Sequence, residues 1–341
     1  MHAITRLPPA LARGGLSLRA SLLSPTARGT AYVLAAALAF STLGSLSGLA
    51  YRVGMGSATF VTLRAIVGAA LLLVLIGLHR RAWVPLRSLP GRERLMLAAA
   101  MAANAILNLA LFAAYGQMAV ALVLAVYFTY PMLVALASVL IGRERFTLAR
   151  SAGLAIAVTG LALVMWDQVG IAALTPIGLL WALAAAGCQA TYLVVSRAGY
   201  TRVPVEQATA LMLGGGALLA GMVALAVDLP AGRLTTWAAD PGAWFAILAA
   251  GVLGAAAAKV WLLNGVRLLG GTRTAVLMLF EPVAAVLLAA IVLDQGITPL
   301  EAVGGLVLLG AARLVQRPAP GAAAPGAAAT GAPQRPKAPV R

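Results

Sequence analysis

The chemistry available to this chain centres on Glu281, which lies about eight residues into a long apolar run and is followed at once by Pro282, in the stretch LFEPVAAVLLAAIVLDQGIT. A carboxyl group at that depth can exchange a proton or bind an amine. The proline also withholds an N–H from the carbonyl one turn earlier, which leaves an acceptor beside the acid. The competing reading is a buried structural anchor paired with Lys259. Lys259 itself can bind a carboxylate, neutralise Glu281, or snorkel to the interface from near the end of its run. Arg64 reads as a carboxylate clamp or outer gate, or as half of a salt bridge to a loop acid. Neutral polar residues recur at helical spacing: Asn104 with Asn108, Ser41 with Ser45, Tyr127 with Tyr130 just before Pro131, Gln189 with Tyr192 and Ser196, and Trp261 with Asn264. Such faces suit a cavity that holds an amphiphilic solute by hydrogen bonds and aromatic walls. Each pair can equally tie two helices together, at about 0.6 kcal/mol per hydrogen bond. Only His2 and His79 are present, Cys188 is the single cysteine, and no phosphate-cradling loop carries a lysine. No enzyme constellation, cofactor or metal is expected from this set.

The elements that must position these side chains are apolar helices. The chain is 62% hydrophobic and 10% charged, with mean hydropathy +0.96. A soluble domain is about half apolar and about a quarter charged, so this is a polytopic membrane protein. About 20 apolar residues cross the hydrocarbon core, and ten runs qualify, near 30–50, 58–78, 95–113, 118–141, 148–166, 176–196, 206–227, 242–263, 273–293 and 299–316. Spans three and four are joined by a short hinge at Tyr115-Gly116-Gln117. The domain reading is a cytoplasmic tail over 1–28, five-span repeats over 29–168 and 175–317, and a Pro/Ala/Gly-rich disordered tail over 318–341. A charge of +16 would point to nucleic acid in a soluble protein. Here the arginines lie almost entirely in the breaks between apolar runs, where lipid and topology account for them.

With the N-terminus taken as cytoplasmic, inside segments hold 21 of the 25 Lys and Arg, outside segments hold Arg52 and Arg233, and Arg64 and Lys259 fall within spans. That bias places both termini inside. The halves also repeat. At an offset of 151 residues Pro131 falls on Pro282, Thr147 on Thr298 and Gly153 on Gly304. A two-residue slip aligns the earlier parts, with Tyr51 on Tyr200. Five spans per half is an odd number, so the second half enters the membrane upside down. The turn Arg143-Glu144-Arg145 is then inside, and its counterpart Asp294-Gln295-Gly296 outside. Inverted repeats of this kind serve alternating access around a midplane site.

The stretches TYPMLVALASVLIGRERFT and LFEPVAAVLLAAIVLDQGIT, each followed by a glycine-bearing helix, resemble the drug/metabolite transporter superfamily, and within it the ten-helix EamA-type permeases. The family acid after span four is matched by Glu144, whereas the second half shows Asp294-Gln295. The resemblance covers about residues 30–316 and implies a bundle in which spans five and ten pack peripherally. It also implies a carrier, since characterised relatives are mostly exporters of amino acids and other small metabolites. The expectation is an all-α integral membrane transporter of a bacterial inner membrane, without a nucleotide, in which Pro131 and Pro282 act near the gates. The alternatives are a sugar-phosphate or organic-anion exchanger, or a multidrug exporter of the same fold. The partners expected are a small-molecule substrate, the lipid bilayer and a second copy in a homodimer, with no nucleic acid.

Overall fold

The computed structural model describes residues 24–80, 83–115, 117–118, 120–142, 148–166, 175–293 and 298–316. The turns at 143–147 and 294–297 and both tails lie outside the described residues, as does Gly116 of the expected hinge. Every element described is helical. The first half contains α1 (Pro25–Ser41), α2 (Leu43–Arg52), α3 (Ser57–Leu78), α4 (Gly91–Tyr115), α5 (Val120–Tyr127), α6 (Tyr130–Leu140) and α7 (Leu148–Met165). The second contains α8 (Pro176–Ser196), α9 (Val205–Val223), α10 (Pro241–Ala249), α11 (Ala258–Leu269), α12 (Gly271–Met278), α13 (Phe280–Leu293) and α14 (Pro299–Gln316). A π-helical segment, Ala224–Asp228, extends α9, and another, Ala250–Ala257, joins α10 to α11.

Eight of the resulting helices are long and apolar enough to cross a membrane, from Pro25–Arg52 to Gly271–Leu288. Two shorter apolar stretches, Ala155–Val164 and Pro299–Ala311, occupy the runs read as spans five and ten. Helix starts follow their caps. Ser24 and Thr175 each accept an N–H three residues on at 3.2 Å, and Asp240 does so at 2.9 Å, with proline next in sequence each time. That pairing satisfies one orphan donor and places proline where no N–H is needed. Thr298 and Glu301 form a reciprocal capping box on α14, with N···O distances of 2.9 and 3.2 Å.

The proline-bearing runs break at matching places. α5 ends at Tyr127 and α12 at Met278, an offset of 151 residues, and a new helix begins within three residues in each case. Pro131 cannot donate to the carbonyl of Tyr127, nor Pro282 to that of Met278, so the ladder tightens instead. Thr129 N–H reaches Val126 O at 3.1 Å, and Leu279 N–H reaches Val276 O at 3.2 Å.

Packing also respects the repeat. α3 packs on α9, α7 on α14 and α6 on α12, while α1 packs on α11 as α8 packs on α4. Taken span by span, with α5 and α6 as one span and α12 and α13 as its counterpart, exchanging the halves turns each of these pairs into itself or into another pair of the set. α7 and α14 meet chiefly each other, so they stand at the periphery. A Cβ at Gly304 would lie 2.7 Å from Gly160 O, which is why glycines meet there. The largest core sits between the halves and draws on Val33, Phe128, Tyr130, Leu193, Leu263 and Met278.

Candidate functional site

Lys259 is the second residue after the π-helical segment, whose residues are mostly Ala and Gly. Small side chains let that segment lie close to α3: a Cβ on Gly251 would sit 3.1 Å from Arg64 O. The two cations read from the sequence are thereby carried on neighbouring backbones. Lys259 is 9% exposed. Its Nζ donates to Asn104 Oδ1 at 2.5 Å and faces the rings of Tyr192 and Phe40, 5.5 and 5.9 Å from their centroids. A buried ammonium needs such partners, because an unpaired charge costs far more than it gains in an apolar interior. Asn104 and Asn108 stand one turn apart on α4, and Asn108 Nδ2 donates to Asn104 O at 2.7 Å. Arg64 Nη2 in turn donates to Asn108 Oδ1 at 2.9 Å. A continuous polar file, Lys259–Asn104–Asn108–Arg64, therefore runs across α11, α4 and α3 at membrane depth.

Aromatic side chains and the acid adjoin the file. Tyr127 and Tyr130 flank the α5–α6 break with centroids 5.3 Å apart, and Phe128 packs on both, at 5.2 and 6.1 Å. Tyr130 is 1% exposed, and its buried hydroxyl has no hydrogen-bond partner among the described residues, with Glu281 within electrostatic reach. Glu281 sits in the first turn of α13, partly buried and within electrostatic reach of Lys259. The two do not form an ion pair. Acid, base, amides and rings thus converge from both halves of the chain, with positive and negative charge held apart. That arrangement can bind a solute bearing both charges, or hand a proton to one.

The EamA-like transporter family matches residues 27–166 and 176–316. This chain belongs to that family. No curated protein matches it. Among solved structures 29 chains match. One, described only as "Crystal structure of protein", has a TM-score of 0.72 at 21% identity, covering 84% of this chain and 96% of that one. At that identity the likeness is one of fold.

As an EamA-like transporter, the chain is a multi-pass membrane protein, and its remaining polar residues divide by what they touch. Lys259 does not snorkel, because its helix continues to Leu269 and its ammonium is held inward by Asn104. Ser41 Oγ bonds Leu38 O at 2.7 Å in its own helix, and the break at Thr42 separates it from Ser45, which is exposed. Asn264 donates to Val260 O at 2.9 Å on its own helix, and Trp261 packs on the central core. Ser196 Oγ and the Tyr200 hydroxyl share a 2.5 Å hydrogen bond at the end of α8, away from the file. Burial pushes that hydroxyl up to about 12, so it stays protonated. Pro131 is buried beside Tyr130, and Pro282 beside Glu281.

Phe40 was not legible as part of the site, since an aromatic in an apolar run looks the same facing lipid or facing a cation. Asp228 was missed as well: it lies just past the expected end of span seven. It is 3% exposed and takes the N–H and hydroxyl of Thr59 at 2.8 and 2.7 Å. It therefore caps the N-terminus of α3 from another helix, the place where a carboxylate is favoured by the orphan donors and the helix dipole.

Proposed function

We propose that this EamA-like protein is a secondary transporter of a bacterial inner membrane that exports small amphiphilic metabolites, such as amino acids, by alternating access. Ten spans in two inverted halves, with both termini cytoplasmic, are the topology this reading takes. The exchange-related packing and the arginine bias support it. The observation that carries the proposal is the separation of Lys259 from Glu281 among Phe40, Tyr127, Tyr130 and Tyr192. Lys259 would receive the carboxylate of a zwitterion and Glu281 its amine, with the rings covering the apolar body. Buried charge in a span is costly enough that a site is its usual reason. A second reading, exchange of organic anions, is favoured by Arg64 and Lys259 being two cations against one acid.

The test is flux from proteoliposomes loaded with a labelled panel of amino acids and organic anions. Wild type is expected to move zwitterions, and Glu281→Gln to lose at least about tenfold in rate, the cost of roughly one charge-assisted contact. Unchanged flux and unchanged pH dependence in the variant would remove the carboxylate from the mechanism. Flux of anions alone would decide for the second reading.

A further inference from the structure

Three connections converge at the end of the bundle that the arginine bias assigns to the inside. Gln207 at the start of α9 makes a two-sided clasp on the backbone of Val84, accepting its N–H at 2.9 Å and donating to its carbonyl at 2.7 Å. Arg202 pairs with Glu93 of α4 at 3.4 Å. The third is made by Arg267, half-buried in the last turn of α11. Its Nη2 donates to the carbonyls of Tyr200 and Val203 at 3.2 and 2.9 Å, and its guanidinium lies 5.6 Å from the centroid of the Tyr200 ring. Tyr200 and Val203 are themselves fully buried. Directly after α11, Gly270 takes φ +84°, and a Cβ there would meet the Arg197 side chain at 3.0 Å. This turn is thus pressed against the end of α8.

The connection is asymmetric. In the second half, α8 packs on α11 and on α12. The exchange-related packing in the first half would set α1 and α2 against α4 and α5, and among the described residues no packing of that extent occurs. The Tyr51 and Tyr200 carbonyls each close their own turn, on the N–H of Gly54 at 3.1 Å and of Val203 at 3.2 Å, and the Arg267 guanidinium is the addition on the Tyr200 side. A bundle whose halves are related by exchange passes between two states in which the ends swap roles. A contact that ties α11 to the 197–204 turn at the inner end is one that has to part when that end opens.

We propose that Arg267, gripping the 197–204 turn through the Tyr200 and Val203 carbonyls, is the inner latch of the transporter, closed in this structure, and that it must release for the Lys259–Glu281 site to open inward. The inference rests on the alternating-access reading and deepens it by naming the contact that sets the state. Releasing the guanidinium gives up two charge-assisted hydrogen bonds and a ring face. That is large enough to hold a state and small enough for substrate binding to overcome.

The test needs no substrate, so it stands apart from the flux assay. With Cys188→Ala as background, Thr274→Cys places a thiol on α12, one turn inside the latch at a fully buried position. The thiol is labelled with a membrane-impermeant maleimide from either side of oriented vesicles. With the latch intact, labelling from the inner side is slow. Arg267→Gln is expected to speed inner-side labelling about tenfold or more, Arg267→Lys by less, and Tyr200→Leu, which keeps both carbonyls, by a few-fold. Equal acceleration from both sides would mean general loosening and would overturn the latch. So would an inner-side rate in Arg267→Gln and Tyr200→Leu no different from the background protein, whatever the flux assay returns.

Discussion

Lys259 shows how one side chain sets the logic of its surroundings. Its ammonium is held by a neutral amide and two rings, while the nearest acid stays unbonded to it. Removing the amide should therefore hurt stability more than removing the charge. Asn104→Ala leaves a buried cation short of a partner, at about 2 kcal/mol or more for a hydrogen bond to a charged group. Lys259→Met in the same background should return most of that loss, because an apolar side chain of similar length needs no partner. Melting of the single and double variants in detergent measures both. If Asn104→Ala is as stable as wild type, the 2.5 Å contact does not hold Lys259.

Two kinds of helix irregularity serve different ends in this fold. The breaks after Tyr127 and after Met278 follow from proline, recur at the same offset, and set Tyr130 and Glu281 at the starts of new helices facing the interior. The π-helical segment before Lys259 has no counterpart signal in the residue pattern, yet its Ala and Gly let α3 and α11 share one neighbourhood. The peripheral pair α7–α14 is bound instead by glycine contact. A Cβ on Gly304 would lie 2.6 Å from Val164 N and 2.7 Å from Gly160 O, both backbone atoms that cannot turn aside. Gly304→Val is accordingly expected to destabilise by about 1–3 kcal/mol, the usual range for overpacking. Flux per folded molecule should be preserved, since the pair stands away from the site. A midpoint shift with unchanged specific flux is the expected outcome. Loss of flux without loss of stability would mean that the pair takes part in transport.

At the scale of the whole molecule the proposed mechanism depends on opposite insertion of the two halves. Accessible tags placed beside Arg143 and beside Asp294 should report from opposite compartments, inside and outside respectively. Tags in one compartment would end the alternating-access reading. Much of this protein was legible without coordinates. Helix-length apolar runs, proline and glycine at a repeated offset, and arginines gathered almost entirely in the breaks follow from the cost of bare backbone and charge in hydrocarbon. Those constraints act locally and leave a one-dimensional record. The same record shows that Asn104 and Asn108 share a face and that Glu281 precedes a proline. It does not carry which helices meet. That Asn104 reaches Lys259, that Asn108 reaches Arg64, that Phe40 covers an ammonium, and that Arg267 closes on Tyr200 were decided only by tertiary packing. Each joins residues from 44 to 219 positions apart, and no periodicity in an apolar run distinguishes a face turned to lipid from one turned to a partner helix.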